Sequence, residues 1–216
     1  MRGQGLSISS PDSPAALQAH CIAFNGMQHI ATGTFAEVAT EIRRVLDSGQ
    51  HRSILLFDAR TSELLDVDTR SSVEDVALRY ASAVDVAAPG DDASPADAVA
   101  DGPRVRGRPK LGVIAREVTL LPRHWDWLSS QTGGASVALR KLVEEARRAN
   151  AGRDVTRKSR EAAYKFMSAI AGSLETFEEA TRALFAGERP PFETLLASWP
   201  ADVRDHTLRL AQDSFN

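Results

Sequence analysis

Arg106-Gly107-Arg108-Pro109-Lys110 is the stretch of this 216-residue chain whose residue types most directly imply a chemistry. Gly107 and Pro109 permit an extended, narrow backbone. The guanidinium groups of Arg106 and Arg108 could then lie along the negative floor of an A·T-rich minor groove. Lys110, Arg116, Arg140 and Lys141 continue the cationic series. Between Arg104 and Arg160 fourteen basic residues face five acidic ones, a local balance of +9 in a chain whose total is -3. The remainder therefore carries -12. A basic middle between acidic ends draws a polyanion. The competing explanation is a solvated basic helix face.

Other reactive residue types do not converge. The five histidines (His20, His29, His51, His124 and His206) are scattered along the chain. No His-Glu-x-x-His, phosphate-binding loop or Gly-x-Ser-x-Gly pattern accompanies them. Asp202 and His206 are one helical turn apart and could share a metal, but that spacing more often serves a cap or a surface hydrogen bond. Asp58, Asp66 and Asp68 flank an expected hairpin, where aspartates are ordinary turn residues. The expectation is a protein that is not an enzyme, with no catalytic residue, cofactor or metal. Cys21 is the only cysteine, which excludes an intramolecular disulfide and a thiolate zinc cluster and fits a reducing compartment. The first twenty residues lack the apolar core of a signal peptide, and no run approaches a membrane span. A cytoplasmic protein without membrane contact is expected.

The elements that must position the basic residues follow in order. Residues 1–19 show no periodicity and read as a disordered tail. Residues 20–84 read as a small ββαββα domain of a size that can fold alone. Asn25-Gly26 joins two apolar runs as a hairpin with positive φ at both turn positions. Thr34-Phe35-Ala36-Glu37 is a capping box ahead of Val38, Ile42, Val45 and Leu46. Residues 53–57 and 64–68 form a second strand pair, and Ser72 caps a helix with Val76, Ala77 and Tyr80 on one side. Residues 85–103, rich in Ala, Asp, Pro and Gly, read as a flexible acidic linker that could occupy the basic arm when nucleic acid is absent. Residues 151–216 read as a helical module. Gly152 and Asp154 make a break, Ala163, Phe166, Met167 and Ile170 take core spacing, and Thr176 caps the next helix. Pro190-Pro191 and Pro200 punctuate the rest.

Residues 104–150 join the basic arm to a strand over residues 113–121. A helix starting at Pro122, a Thr132-Gly133-Gly134 break and a second helix from Ser136 complete the segment. Arg106-Gly107-Arg108-Pro109 matches the core of the AT-hook, a minor-groove-binding peptide. Leu121-Pro122 with Trp125 and Leu128, then Gly134-Ala135-Ser136-Val137 with Leu139, Leu142, Val143 and Ala146, resemble the ribbon-helix-helix DNA-binding fold. That resemblance implies a homodimer with Trp125, Leu128, Leu139 and Leu142 in its core. It implies a two-stranded ribbon in the major groove and a phosphate held at Ala135 and Ser136. Strand alternation with Leu121 inward turns Arg116, Val118 and Leu120 outward, and a bulge would present Thr119 instead. The motifs Gly107–Gly112 (GRPKLG), Arg116–Leu128 (REVTLLPRHWDWL) and Gly133–Arg147 (GGASVALRKLVEEAR), with Glu161–Met167 (EAAYKFM), also resemble a bacterial family known as domain of unknown function 2239. That likeness covers most of the chain and implies no activity.

The fold expected is α+β, comprising the ββαββα domain, the acidic linker, the strand-helix-helix segment and the C-terminal helical module. The function expected is a homodimeric DNA-binding regulator or nucleoid-associated factor. Its partners would be itself and double-stranded DNA, A·T-rich sequences among them. The duplex would meet Arg106, Arg108, Lys110, Arg116, Thr119, Ser136, Arg140 and Lys141. A different class, a structural interaction protein that uses the strand-helix-helix only to dimerise, is the alternative. An enzyme scaffolded on the first domain is the weaker one.

Overall fold

The computed structural model describes residues 8–9, 20–49, 52–86 and 116–215. In order they form β1 (Ile8–Ser9), β2 (His20–Asn25), β3 (Gln28–Thr34), α1 (Phe35–Asp47), β4 (Ile54–Asp58) and β5 (Leu64–Leu65). The helices α2 (Val73–Val86), α3 (Pro122–Ser130), α4 (Gly134–Ile170), α5 (Phe177–Ala186), α6 (Arg189–Leu196) and α7 (Ala201–Leu210) follow. The fold is mixed α+β and mostly helical. It divides into two units, residues 1–89 with 151–216 and residues 90–150.

In the first unit the strand order is β1-β5-β4-β2-β3. The four strands from β2 to β5 are antiparallel to their neighbours, and β1 joins β5 in parallel. Between β2 and β3 the chain turns at Gly26 and Met27, because Asn25 pairs with Gln28. Gly26 has φ +63° and Asn25 does not enter that region, so the turn sits one residue later than expected. Glycine at the first central position with an ordinary residue second is the type II′ solution, which suits the strands' twist as well as Asn-Gly would. The Asn25 side chain is used elsewhere, accepting from the Arg52 backbone N–H at 2.6 Å.

Strand β2 lies between β3 and β4 and is buried on both faces. Cys21 and Ala23, with Leu56 and Leu65, face Phe35, Val38, Ala39 and Ile42 of α1 and Val76 and Tyr80 of α2. Ile22 and Phe24, with Phe57, face Ala163, Phe166, Met167 and Ile170 of α4 and the helices after it. Two-sided burial explains why Cys21-Ile22-Ala23-Phe24 is an unbroken apolar run rather than an alternating one. Residues 20–84 and 151–216, read from sequence as separate modules, thus share one core. Phe166 is the hub of the second face, with ring centroids 5.1 Å from Phe24 and 5.5 Å from Phe57.

Helix starts follow local chemistry. Thr34 caps α1 by accepting from the Glu37 N–H, and the Glu37 carboxylate accepts in return from the Thr34 N–H at 2.8 Å and hydroxyl at 2.9 Å. The backbone bond to Thr34 is the main reason the Glu37 carboxyl is held below its usual range. Ser72 accepts from the Asp75 N–H at 3.2 Å to open α2. Thr176, expected as a cap, does not cap α5 with its side chain. Its hydroxyl accepts from the Trp199 indole at 2.7 Å and donates to the Leu195 carbonyl, tying α5 to the end of α6. Gly152 does not break the chain either, since α4 runs through it for 37 residues. The cost of one interior glycine is about 1 kcal/mol, and Asp154 sits in ion pairing with Arg157 rather than capping a new helix.

The strand expected over residues 113–121 is absent over its described part, because residues 116–121 take no regular structure. The ribbon expected there pairs with the same strand of a second copy, so a single chain leaves these residues without their partner edge. Residues 113–115, the arm and the acidic linker lie outside the described residues.

Candidate nucleic-acid interface

Helix α3 starts where proline allows. Leu121 is the extended N-cap residue and Pro122 the first helical position, where a missing N–H costs nothing. The helix ends as Gln131 turns extended, with its backbone N–H on the Leu128 carbonyl and its side-chain amide on Trp127 at 3.2 Å. Gly133 then takes φ +88°. A Cβ there would stand 3.1 Å from the Val137 side chain, so both conformation and space require glycine. Gly134, the first residue of α4, donates to the Gln131 carbonyl at 2.9 Å.

Helix α4 carries no acidic residue in its first turn. Arg140 folds back over that turn, its Nε donating to the Ser136 carbonyl at 3.1 Å and Nη2 to the Ser136 hydroxyl at 3.4 Å. A helix start has N–H groups without intrahelical partners and a partial positive charge. A guanidinium beside it raises the local potential further, which suits a phosphate oxygen. Ser136, Arg140 and Lys141 are exposed and close in sequence on one helix. Arg116 and Thr119 are exposed on the irregular segment before α3. Arg106, Arg108 and Lys110 lie outside the described residues.

Of the four residues assigned to a dimer core, Leu128 is 3% exposed. Leu139 is half-buried, Trp125 is exposed, and Leu142 is 43% exposed. Val118, Leu121, Trp127 and Val143 are also exposed. Among the described residues of this unit only Leu128 and Ala138 are buried. The described part of this unit therefore presents much apolar side chain and buries little of it.

Elsewhere the reactive side chains serve structure. Asp58 accepts from the backbones of Arg60 and Thr61 at 2.9 and 2.8 Å, closing the β4–β5 turn. The Asp68 carboxyl is held below its usual range by the Arg70 backbone bond first and by the Arg70 and Arg79 charges besides. With Asp66, Thr69 and Tyr80 these groups line a polar cavity of about 650 Å³ that the sequence did not signal, because it assembles from a loop and a helix nine or more residues apart. Asp202 accepts from the His29 backbone N–H at 2.9 Å, a long-range tie from α7 to β3. His206 lies between Phe24 and Phe166, with ring centroids 5.9 and 4.6 Å away, and neither of its nitrogens has a partner among the described residues. Asp202 and His206 share no hydrogen bond, and no group of three or more His, Cys, Asp or Glu among the described residues could hold a metal. The Cys21 thiol is buried, and burial first, with the Asp58 charge second, pushes it up to about 12. A thiol so disposed is not a nucleophile at neutral pH. No helix among the described residues is long and apolar enough to cross a membrane.

No curated protein and no solved structure was found to match the chain. A family model does match it, over residues 20–211, from the first residue of β2 past the end of α7. The chain therefore belongs to the family described as uncharacterized proteins conserved in bacteria, DUF2239.

Proposed function

We propose that this protein is a homodimeric DNA-binding factor of the regulatory or nucleoid-associated kind. The observation that carries the reading is a coincidence within one segment. The basic residues concentrate in the unit that buries only Leu128 and Ala138 among its described residues. A chain that spends apolar surface in this way gains by meeting a second copy, and the pair presents its cations in duplicate to one polyanion. Ser136 and the N–H groups of the first turn of α4 hold a phosphate, with Arg140 beside it. Arg116 and Thr119 approach base edges, Lys110 and Lys141 add backbone attraction, and Arg106 and Arg108 enter the minor groove.

The test is duplex affinity across a salt series. Counterion release makes log K fall with log salt at a slope of about -0.9 per phosphate contact. Affinity should drop by orders of magnitude between roughly 50 and 200 mM salt. Arg140→Ala should lower that slope by about two, one contact from each copy, without altering sequence preference. Replacing Arg106 and Arg108 by Ala should remove any preference for A·T-rich over G·C-rich duplex. Absence of binding at low salt sinks the reading.

One observation favours a second reading. Val118 and Leu121 are exposed on the irregular segment beside Arg116, and aliphatic side chains are better suited to a protein partner than to base edges, which are read by hydrogen bonds. In that reading the segment dimerises and its basic surface meets an acidic protein. A salt-insensitive complex or no duplex binding would favour it.

A further inference from the structure

Residues 140–150 of α4 are exposed without interruption, all round the helix. A stretch of about eleven residues with no tertiary packing is marginal as an isolated helix. Fully solvated helices are normally polar on every face. This one is not. Ala135, Leu139, Leu142, Ala146 and Ala149 recur at spacings of four, three, four and three, the seven-residue repeat that lines one side of a helix with a continuous seam. Leu142 at its middle is 43% exposed, and Val143 on its shoulder 61%.

We infer that this seam is the contact between two copies of the chain, formed by their α4 helices crossing antiparallel at Leu142. The inference rests on the homodimer of the reading above and not on its DNA. Three features of the seam select this occupant. First, an antiparallel crossing centred at Leu142 sets Leu139 of one copy against Ala146 of the other, large against small, and Leu142 against its own copy. A parallel pair in register would stack leucine on leucine and leave alanine facing alanine. Second, Lys141 and Glu145 lie on the same flank of the seam. Antiparallel helices bring like flanks together, so Lys141 of each copy meets Glu145 of the other, twice per dimer. Parallel helices would set that flank against Val143 and Asn150. Third, both charges are available. The ion pair on this stretch is Arg147 with Glu144, and neither Lys141 nor Glu145 has an ion-pair partner among the described residues. A patch that carries both signs at positions exchanged by a two-fold axis is self-complementary. An unrelated partner would have no reason to match that symmetry.

The experiment is sedimentation of the full-length protein over a concentration series, without DNA. Lys141→Glu and Glu145→Lys should each weaken the dimer by about tenfold or more, since each replaces two attractions by two repulsions. The double variant, which restores both pairs with signs exchanged, should return to within about threefold of the parent. These side chains are exposed, so the folded chain tolerates the changes. Register is read independently by oxidative cross-linking, with Cys21 too buried to interfere. A mixture of Leu139→Cys and Ala146→Cys proteins should form a mixed disulfide dimer. Leu139→Cys cross-linking to itself instead would mean a parallel pair and overturn the proposal. So would a dimer indifferent to all three charge variants, or one weakened by the single changes and not rescued by the double, while the homodimer itself would stand. A chain monomeric at every concentration overturns the proposal and the homodimer together.

Discussion

Protonating His206 would place a charge between Phe24 and Phe166, where neither ring nitrogen has a hydrogen-bond partner among the described residues. Burial is the main cause of its lowered pKa, and the Arg209 and His29 charges add to it, bringing it down to about 4. The unfolded chain regains a pKa near 6.5, so between about 6.5 and about 4 the unfolded state binds the proton and the folded state does not. Stability is therefore fully present above the unfolded pKa and is lost as pH falls toward the folded one. The loss is on the order of 3 kcal/mol for a shift of this size. Urea midpoints measured from pH 7 to pH 4 should fall for the parent and fall distinctly less for His206→Leu. Equal slopes would show that His206 does not titrate in this way. Sequence places His206 one helical turn from Asp202, but does not show the two phenyl rings that make its protonation costly, because those come from β2 and α4.

At the scale of the element, local signals were legible where the chemistry is local. Thr34 and Glu37 form their reciprocal cap as the spacing says, and Ser72 opens α2. Where a side chain has a distant alternative, the local signal fails. Thr176 bonds Trp199 instead of its own helix, and Asn25 leaves the turn to Gly26 because its carboxamide serves Arg52. Gly152 is the sharpest case, since α4 passes through a residue that reads as a break. A Cβ there would meet nothing within 4 Å, and its φ is ordinary. Gly152→Ala should therefore stabilise the protein by about 1 kcal/mol, the usual difference in helix propensity, read as a raised denaturant midpoint. A lowered midpoint would mean that the helix bends at this position in solution. The described residues before Pro122 take no regular structure in one chain, and the ribbon expected there draws its second strand from another copy. For the basic candidates, the charges and the helix start are legible in the residues, whereas the choice Arg140 makes of Ser136 one turn back is seen only in the structure.

At the scale of the whole molecule, the apolar run Cys21–Phe24 announces burial on two sides without saying what covers the second. The structure supplies α4 and the helices after it, more than a hundred residues along the chain. Residues 20–86 should consequently not form a stable domain alone, because Ile22, Phe24 and Phe57 would lie bare. Expressed alone, that fragment should bind a hydrophobic dye and unfold without a cooperative transition. A sharp thermal transition with little dye binding would show that the sheet and its first two helices suffice. The same central strand has a consequence for how faithfully the molecule assembles. On β2 the side facing α1 and α2 offers Cys21 and Ala23, and the opposite side offers Ile22 and Phe24. Sliding the strand by a single residue would exchange the two sets. A phenyl ring would be driven into room meant for a methyl group, and a void would open behind it on the other side. Both faces would reject the same mistake at once, so this one short segment acts as a reading frame for the layers above and below it.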